Sequence, residues 1–221
     1  MPLVYISSDV RGVRDLHPYL SDPGFRNLPI LKQIEAQAET IFGAFRAGDN
    51  RVAPHLLSWW PKARGATSET VLALDFAASD AFATMSREYG FSDTKELISL
   101  GNRTLDANFE TALDHILAGE IEALRHLLDR HPELAAARSN LGHRSTLLHY
   151  LGANGVETHR QVTPYNAADL ARLLISKGAA RNAKADMYGG GQTPYMLACT
   201  SAHPIHAGIS EALNAVLRPL S

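Results

Sequence analysis

The residues with chemical potential gather in the last third of the chain. Glu157, His159, Arg160 and Gln161 share one stretch, Val156 to Asn166, and His203 and His206 share another, Ser201 to Gly208. Asp186 and Tyr188 lie between them, just ahead of Gly189-Gly190-Gly191. A carboxylate, a guanidinium and imidazoles at such spacing can move protons, hold anions or pair with charges on a partner. His203-Pro204-Ile205-His206 would put two imidazoles on one helical face, but Pro204 favours a loop. Two histidines without a cysteine pair also fall short of the four ligands of a structural zinc, so no metal is expected. The glycine run lacks the Gly-Lys-Ser/Thr ending of a phosphate loop. It reads instead as a turn that needs positive φ. His115, His126 and His131 share no ligand pattern and are expected at the surface. Cys199, on an apolar stretch, reads as a small buried hydrophobe. No nucleophile elbow, His-Glu-x-x-His or dinucleotide fingerprint occurs, so no catalytic residue is assigned and no cofactor is expected.

These residues must be positioned by helices. A helix is predicted from Pro29, whose missing N–H suits a first turn. Ile30, Ile34, Ala38, Ile41 and Phe45 line one face, and Ala47-Gly48 closes it. A short helix near Asn50 to Leu57 follows. Glu39-Thr40, Ala47-Gly48 and Leu56-Leu57 reappear at a constant offset as Glu110-Thr111, Ala118-Gly119 and Leu127-Leu128. Both copies therefore read as helical hairpins with an alanine-glycine step between the helices. Between the copies, Ala78, Phe82, Met85 and Tyr89 form an apolar stripe, and Asp93 with Glu96 forms a capping box. Trp59-Trp60-Pro61 closes the first hairpin; its two indoles point to opposite sides, which fits one in the core and one under a loop, or one at the surface or an interface. Before Pro29 no period is sustained. Leu3-Val4-Tyr5-Ile6 fits a short strand or arm, and an unstructured leader fits equally well.

Thr146-Leu147-Leu148-His149 through Gly155, then Leu173-Leu174 and Gly178-Ala179, resembles an ankyrin repeat. Gln192-Thr193-Pro194 opens the next copy, with Tyr195-Met196 where Leu-His is usual. Arg87-Glu88-Tyr89-Gly90-Phe91-Ser92 is in part similar to a segment found upstream in bacterial ankyrin-type proteins. The resemblance implies that His149 bonds backbone between neighbouring loops. It implies an all-α fold, an ankyrin-like helical-hairpin solenoid with a helical N-terminal extension. The division expected is 1–28 as an arm or leader, 29–106 as a helical region with a possible degenerate repeat, and 107–221 as the repeats. Thr146 to Thr193 is longer than the roughly 33 residues of such a repeat. The excess falls between the helices, at Val156 to Asn166, and in the loop around Asp186 to Gly190. The last hairpin is also swollen at Ser201 to Gly208. Extensions at one point of stacked hairpins share an edge. That edge is expected to present Glu157, His159, Arg160, Gln161, His203 and His206, with Asp186 and Tyr188 beside it, to a ligand or partner.

Composition bounds the reading. The chain has 221 residues, 45% hydrophobic and 20% charged, with formal net charge -2. No basic run marks it for nucleic acid. No apolar run approaches the roughly 18 residues of a membrane span. One cysteine excludes an intramolecular disulfide and fits a reducing, cytoplasmic setting. The expected function is protein–protein interaction of the ankyrin-repeat type. The alternative is an enzyme or small-molecule binder with its site in the inserted loops.

Overall fold

The computed structural model describes residues 3–100 and 102–219. The described chain is mostly helical, and its only sheet is a two-stranded ribbon. It divides into two compact units.

Residues 8–105 form one unit. Its helices are α1 (Ser8–Leu16), α2 (Pro23–Arg26), α3 (Ile30–Arg46), α4 (Ala53–Trp59), α5 (Ala78–Glu88) and α6 (Thr94–Leu100). α3 buries Ile30, Ile34, Ala38 and Ile41 as their spacing requires, and packs chiefly along α5, which also holds α4. The buried face of α5 runs through Ala81, Thr84, Met85 and Glu88; Ala78, expected in the stripe, is exposed. Trp60 is buried and donates its indole N–H to Asp80 Oδ1 at 3.2 Å, while Trp59 is half-buried. Asp93 Oδ1 accepts the N–H groups of Lys95 and Glu96, and Glu96 reaches back to the Ser92 N–H rather than to that of Asp93.

The expected arm over residues 1–28 needs correction. Residues 8–16 are helix α1, held by the buried side chains of Val10 and Val13. The period escaped the sequence because only these two apolar residues face inward, diluted by Arg11, Gly12, Arg14 and Asp15.

Residues 3–7 join residues 106–219 in the other unit. Strand β1 (Val4–Tyr5) pairs antiparallel with β2 (Thr163–Pro164), matching Val4 to Pro164 and Tyr5 to Thr163. The helices are α7 (Ala107–Ala118), α8 (Ile121–Arg130), α9 (Leu147–Tyr150), α10 (Ala167–Ser176), α11 (Pro194–Thr200), α12 (Ala202–His206) and α13 (Ser210–Leu217). α7 packs on α8 and on α9, and α9 in turn on α11. α8 packs on α10, and α10 on α13. One apolar core runs through both rows, from Phe109 and Leu113 through Leu147, Leu148, Leu170 and Leu174 to Leu197 and Leu213. Asp106 caps α7 by accepting the Phe109 N–H at 2.8 Å, and Gly119 ends it at φ 76°. Only glycine takes that conformation freely. Gly48 closes α3 at φ 71°, so the two hairpin copies share their local turn although their helices pack differently.

The row α9–α11 depends on a close approach. A Cβ on Gly152 would lie 2.9 Å from Leu197 Cβ, 3.1 Å from the Ala198 nitrogen and 3.2 Å from the His149 carbonyl oxygen. Two of these neighbours are backbone and cannot swing aside. Gly152→Ala is predicted to cost about 1–3 kcal/mol, as overpacking does. Urea denaturation followed by circular dichroism measures it; an unchanged midpoint would show that α9 and α11 separate without cost.

Candidate binding surface

The insertion between α9 and α10 is not an exposed loop. Glu157 begins a single 3-10 turn, Thr158–Arg160, and both its carboxylate and the Arg160 guanidinium are buried. Arg160 Nη1 donates to Glu157 Oε1 at 3.0 Å, and Arg160 Nη2 to Glu110 Oε2 of α7 at 2.5 Å. His143 Nδ1 accepts the Ser145 N–H at 3.2 Å. The proton of this imidazole therefore sits on Nε2, which faces Glu157 Oε2 at 3.4 Å. Burial alone would push the Glu157 carboxyl up, but the Arg160 charge and His143 outweigh it and hold it well below the usual carboxylate range. Tyr150 fills the space between Phe109 and His143, with ring centroids 6.3 and 6.1 Å away. Burial, and then the Glu157 charge, drive its phenol well above the ordinary value.

Glu157 and Arg160, expected on an exposed edge, are thus interior. Two buried carboxylates share one guanidinium, and a buried charge persists only with such partners. Gln161 is also turned inward: its amide donates to the Val156 carbonyl at 2.7 Å and closes the insertion on itself. His159 remains half-buried.

The rest of the expected edge forms two places. His203 and His206 lie on helix α12, not in a loop, because Ser201 caps it and Pro204 falls within its first turn, where a missing N–H is harmless. Both rings meet Tyr5, His206 stacked at 6.2 Å and His203 edge-on at 6.4 Å. Strand β1 thereby bridges the insertion, through Thr163, and the 201–208 segment.

The second place is the loop joining α10 to α11. Ala185 and Gln192 bridge it with paired N–H···O bonds of 2.8 and 3.2 Å. Asp186 at its start is exposed, with its N–H bound to the His143 carbonyl at 2.8 Å. Gly189, Gly190 and Gly191 all take positive φ, as a tight loop requires. Tyr188 does so too, at φ 50°, which is unusual for a bulky side chain. Its ring lies over Gly155, where an added Cβ would come within 3.0 Å of the ring. Its hydroxyl donates to Asn154 Oδ1 at 2.8 Å, and the Asn154 amide donates to Thr200 Oγ1 at 2.9 Å. Tyr188 is 58% exposed and Met196, on α11, is 44% exposed.

His149 anchors this loop. Its Nδ1 accepts from the Thr146 N–H at 3.0 Å, so Nε2 carries the proton and donates to the Gln192 carbonyl at 3.1 Å. Burial lowers its pKa to about 4, against the pull of the Gln192 and Ala183 carbonyls. Cys199, expected buried, is exposed: Leu197 and Ala198 take the inward positions of α11. Among the described residues, no group of three or more His, Cys, Asp or Glu side chains is placed to hold a metal ion. Among the described residues, no helix is long and apolar enough to cross a membrane.

Asn154, Met196, Glu110 and His143 are not among the site residues expected from the sequence. Glu110 carried a signal, an acid beside Phe109 on the inward face of α7, three residues before Leu113. Comparison with family models, with curated proteins and with solved structures finds no match to this chain.

Two predictions follow from the buried cluster. Arg160→Ala should cost about 3–5 kcal/mol by leaving Glu110 and Glu157 buried without their cation; a loss below about 1 kcal/mol in denaturant titration would show that water replaces the guanidinium. The folded Glu157 is depressed below its unfolded value of roughly 4.3, so its contribution is complete above that pH and is lost as pH falls through the folded value. Glu157→Gln should therefore flatten the acid limb of stability below about pH 4.

Proposed function

We propose that this chain is a protein-binding module of the ankyrin type, an all-α helical-hairpin solenoid acting in the cytoplasm. Its contact surface is the Tyr188 loop with the outward face of α11. Support for the architecture comes from the two rows of packed helices and from His149, whose proton reaches across to the Gln192 carbonyl of the following loop. That is the interaction the Thr146-Leu147-Leu148-His149 motif implies.

The observation that carries the functional reading is Tyr188. An exposed aromatic ring is held in a left-handed backbone conformation, seated on Gly155 and tied through its hydroxyl to Asn154. Backbone strain at an exposed side chain is kept only where the surroundings fix it. A tyrosine with few free torsions supplies contact area at little entropic cost on binding. Met196 beside the same network adds an adaptable apolar surface. Asn154 and Thr200 supply the polar rim that such anchors need. Glu157 and Arg160 of the insertion are buried and mutually paired, so they serve the frame rather than a partner.

Tyr188→Ala with Met196→Ala tests this. Immobilised wild-type chain is used to capture a partner from its own cells, and the affinity of that partner is then measured for both proteins. Removing two anchors should weaken binding by roughly 30-fold or more, with the melting temperature nearly unchanged because both side chains are exposed. Wild-type affinity in the double variant would move the contact surface elsewhere.

A further inference from the structure

Cations collect on the loops that precede α9 and α11. Residues 138–145 and 181–192 hold Arg138, Arg144, Arg181 and Lys184 against one carboxylate, Asp186, in a chain whose formal net charge is -2. Arg138, Arg144 and Lys184 are exposed. One guanidinium joins them: Arg138 Nη1 donates to the Arg144 carbonyl and to the Lys184 carbonyl, each at 2.7 Å. The two loops also touch directly, where the Asp186 N–H donates to the His143 carbonyl at 2.8 Å. Backbone contacts therefore group the three cations beside the start of the Tyr188 loop.

Two features set this group apart from ordinary surface charge. The first is the Arg138 fork. Its Nη1 is spent on two backbone carbonyls, which fixes the plane of the guanidinium. Its Nε and Nη2 donate to no group among the described residues. That edge of a guanidinium can grip a carboxylate with two parallel hydrogen bonds. A fork already held in place loses little freedom when it binds.

The second is the backbone of Arg144. Its φ is 51°, in the left-handed region that suits glycine. Arg144 stands two residues before Thr146, as Gly191 at φ 80° stands two residues before Thr193. Glycine is the unstrained choice at that point, and the earlier loop carries arginine instead. The Arg144 N–H donates to the Leu141 carbonyl at 3.0 Å and its carbonyl is held by Arg138, so both sides of the residue are fixed. Among the described residues, neither the Arg144 nor the Lys184 side chain pairs with a carboxylate, Asp186 included. Strain is thus kept at a residue whose side chain makes no ion pair within the fold, and such outliers point outward to function.

We infer that Arg138, Arg144 and Lys184 receive an acidic segment of the protein partner, with one carboxylate on the Arg138 fork and others on Arg144 and Lys184. This rests on the protein-binding reading of the Tyr188 loop and gives that partner a chemistry. Its acidic stretch lies next to the group that meets Tyr188. Opposite charge on the two surfaces speeds their encounter and fixes the register in which they dock. A few cations on a chain of net negative charge suit a short run of carboxylates; a nucleic-acid backbone calls for a longer basic stripe.

Isothermal titration of the full chain with a hexaglutamate peptide at about 20 mM salt tests this. The wild type should bind, and raising the salt to about 200 mM should remove most of the affinity. Arg144→Gly with Lys184→Ala should weaken binding by about tenfold or more. Its melting temperature should stay level or rise, since glycine takes the left-handed conformation freely. Hexaglutamine should not bind. No binding by the wild type, equal affinity in the variant, or a fall in melting temperature in step with the affinity would overturn the inference. So would equal binding of hexaglutamine or tighter binding of an oligothymidylate. Tyr188→Ala with Met196→Ala should keep the wild-type affinity for hexaglutamate, so the two readings fail separately. Wild-type affinity of Arg144→Gly with Lys184→Ala for the captured partner would overturn the acidic segment, while the Tyr188 and Met196 substitutions decide the contact surface by themselves.

Discussion

One guanidinium shared by two buried carboxylates fixes the part of this chain that departs most from a plain helical hairpin. Arg160 takes Glu157 on one side and Glu110 of α7 on the other. Without it both carboxylates would lose the one cation that their buried oxygens share. Once the Thr158–Arg160 turn is pinned, Thr163 and Pro164 are extended where Val4 and Tyr5 can pair with them. Tyr5 then stacks on His206. A run of polar residues that looks like a solvated loop is in this way an internal strut. Its charges are spent on holding the fold.

A second constraint acts along the helix rows. His149 is buried, held neutral by desolvation, and satisfied at both nitrogens, by Thr146 on one side and by the Gln192 carbonyl on the other. The loop that it grips carries Tyr188. Rigidity at the base and exposure at the tip are what an interface anchor requires, since little order remains to be lost on association. The proposed surface therefore rests on scaffold interactions that contact no partner themselves.

Much of the helical framework was legible. The face Ile30, Ile34, Ala38 and Ile41 is buried as spaced, and the glycines that end α3 and α7 take left-handed φ. Helix α1 was hidden because two valines carry its whole buried face. The candidate site was less legible, for a physical reason. Polarity in sequence does not distinguish a solvated charge from one buried with partners, and the partner of Arg160 is fifty residues away at Glu110. Helicity at 202–206 was missed because Pro204 reads as a breaker, although the first turn of a helix accepts it. Cys199 lay on an apolar stretch, but helical phase turned it outward.

The account separates the polar residues of the insertion, which support, from the Tyr188 loop and α11, which contact. Hydroxyl-radical footprinting of the chain with and without its captured partner tests that separation directly, because tyrosine, methionine and histidine side chains all report. The account predicts strong protection of Tyr188 and Met196 in the complex, with Tyr5, His203 and His206 oxidised as in the free chain. Protection of His203 and His206 with Tyr188 and Met196 left fully reactive would contradict it.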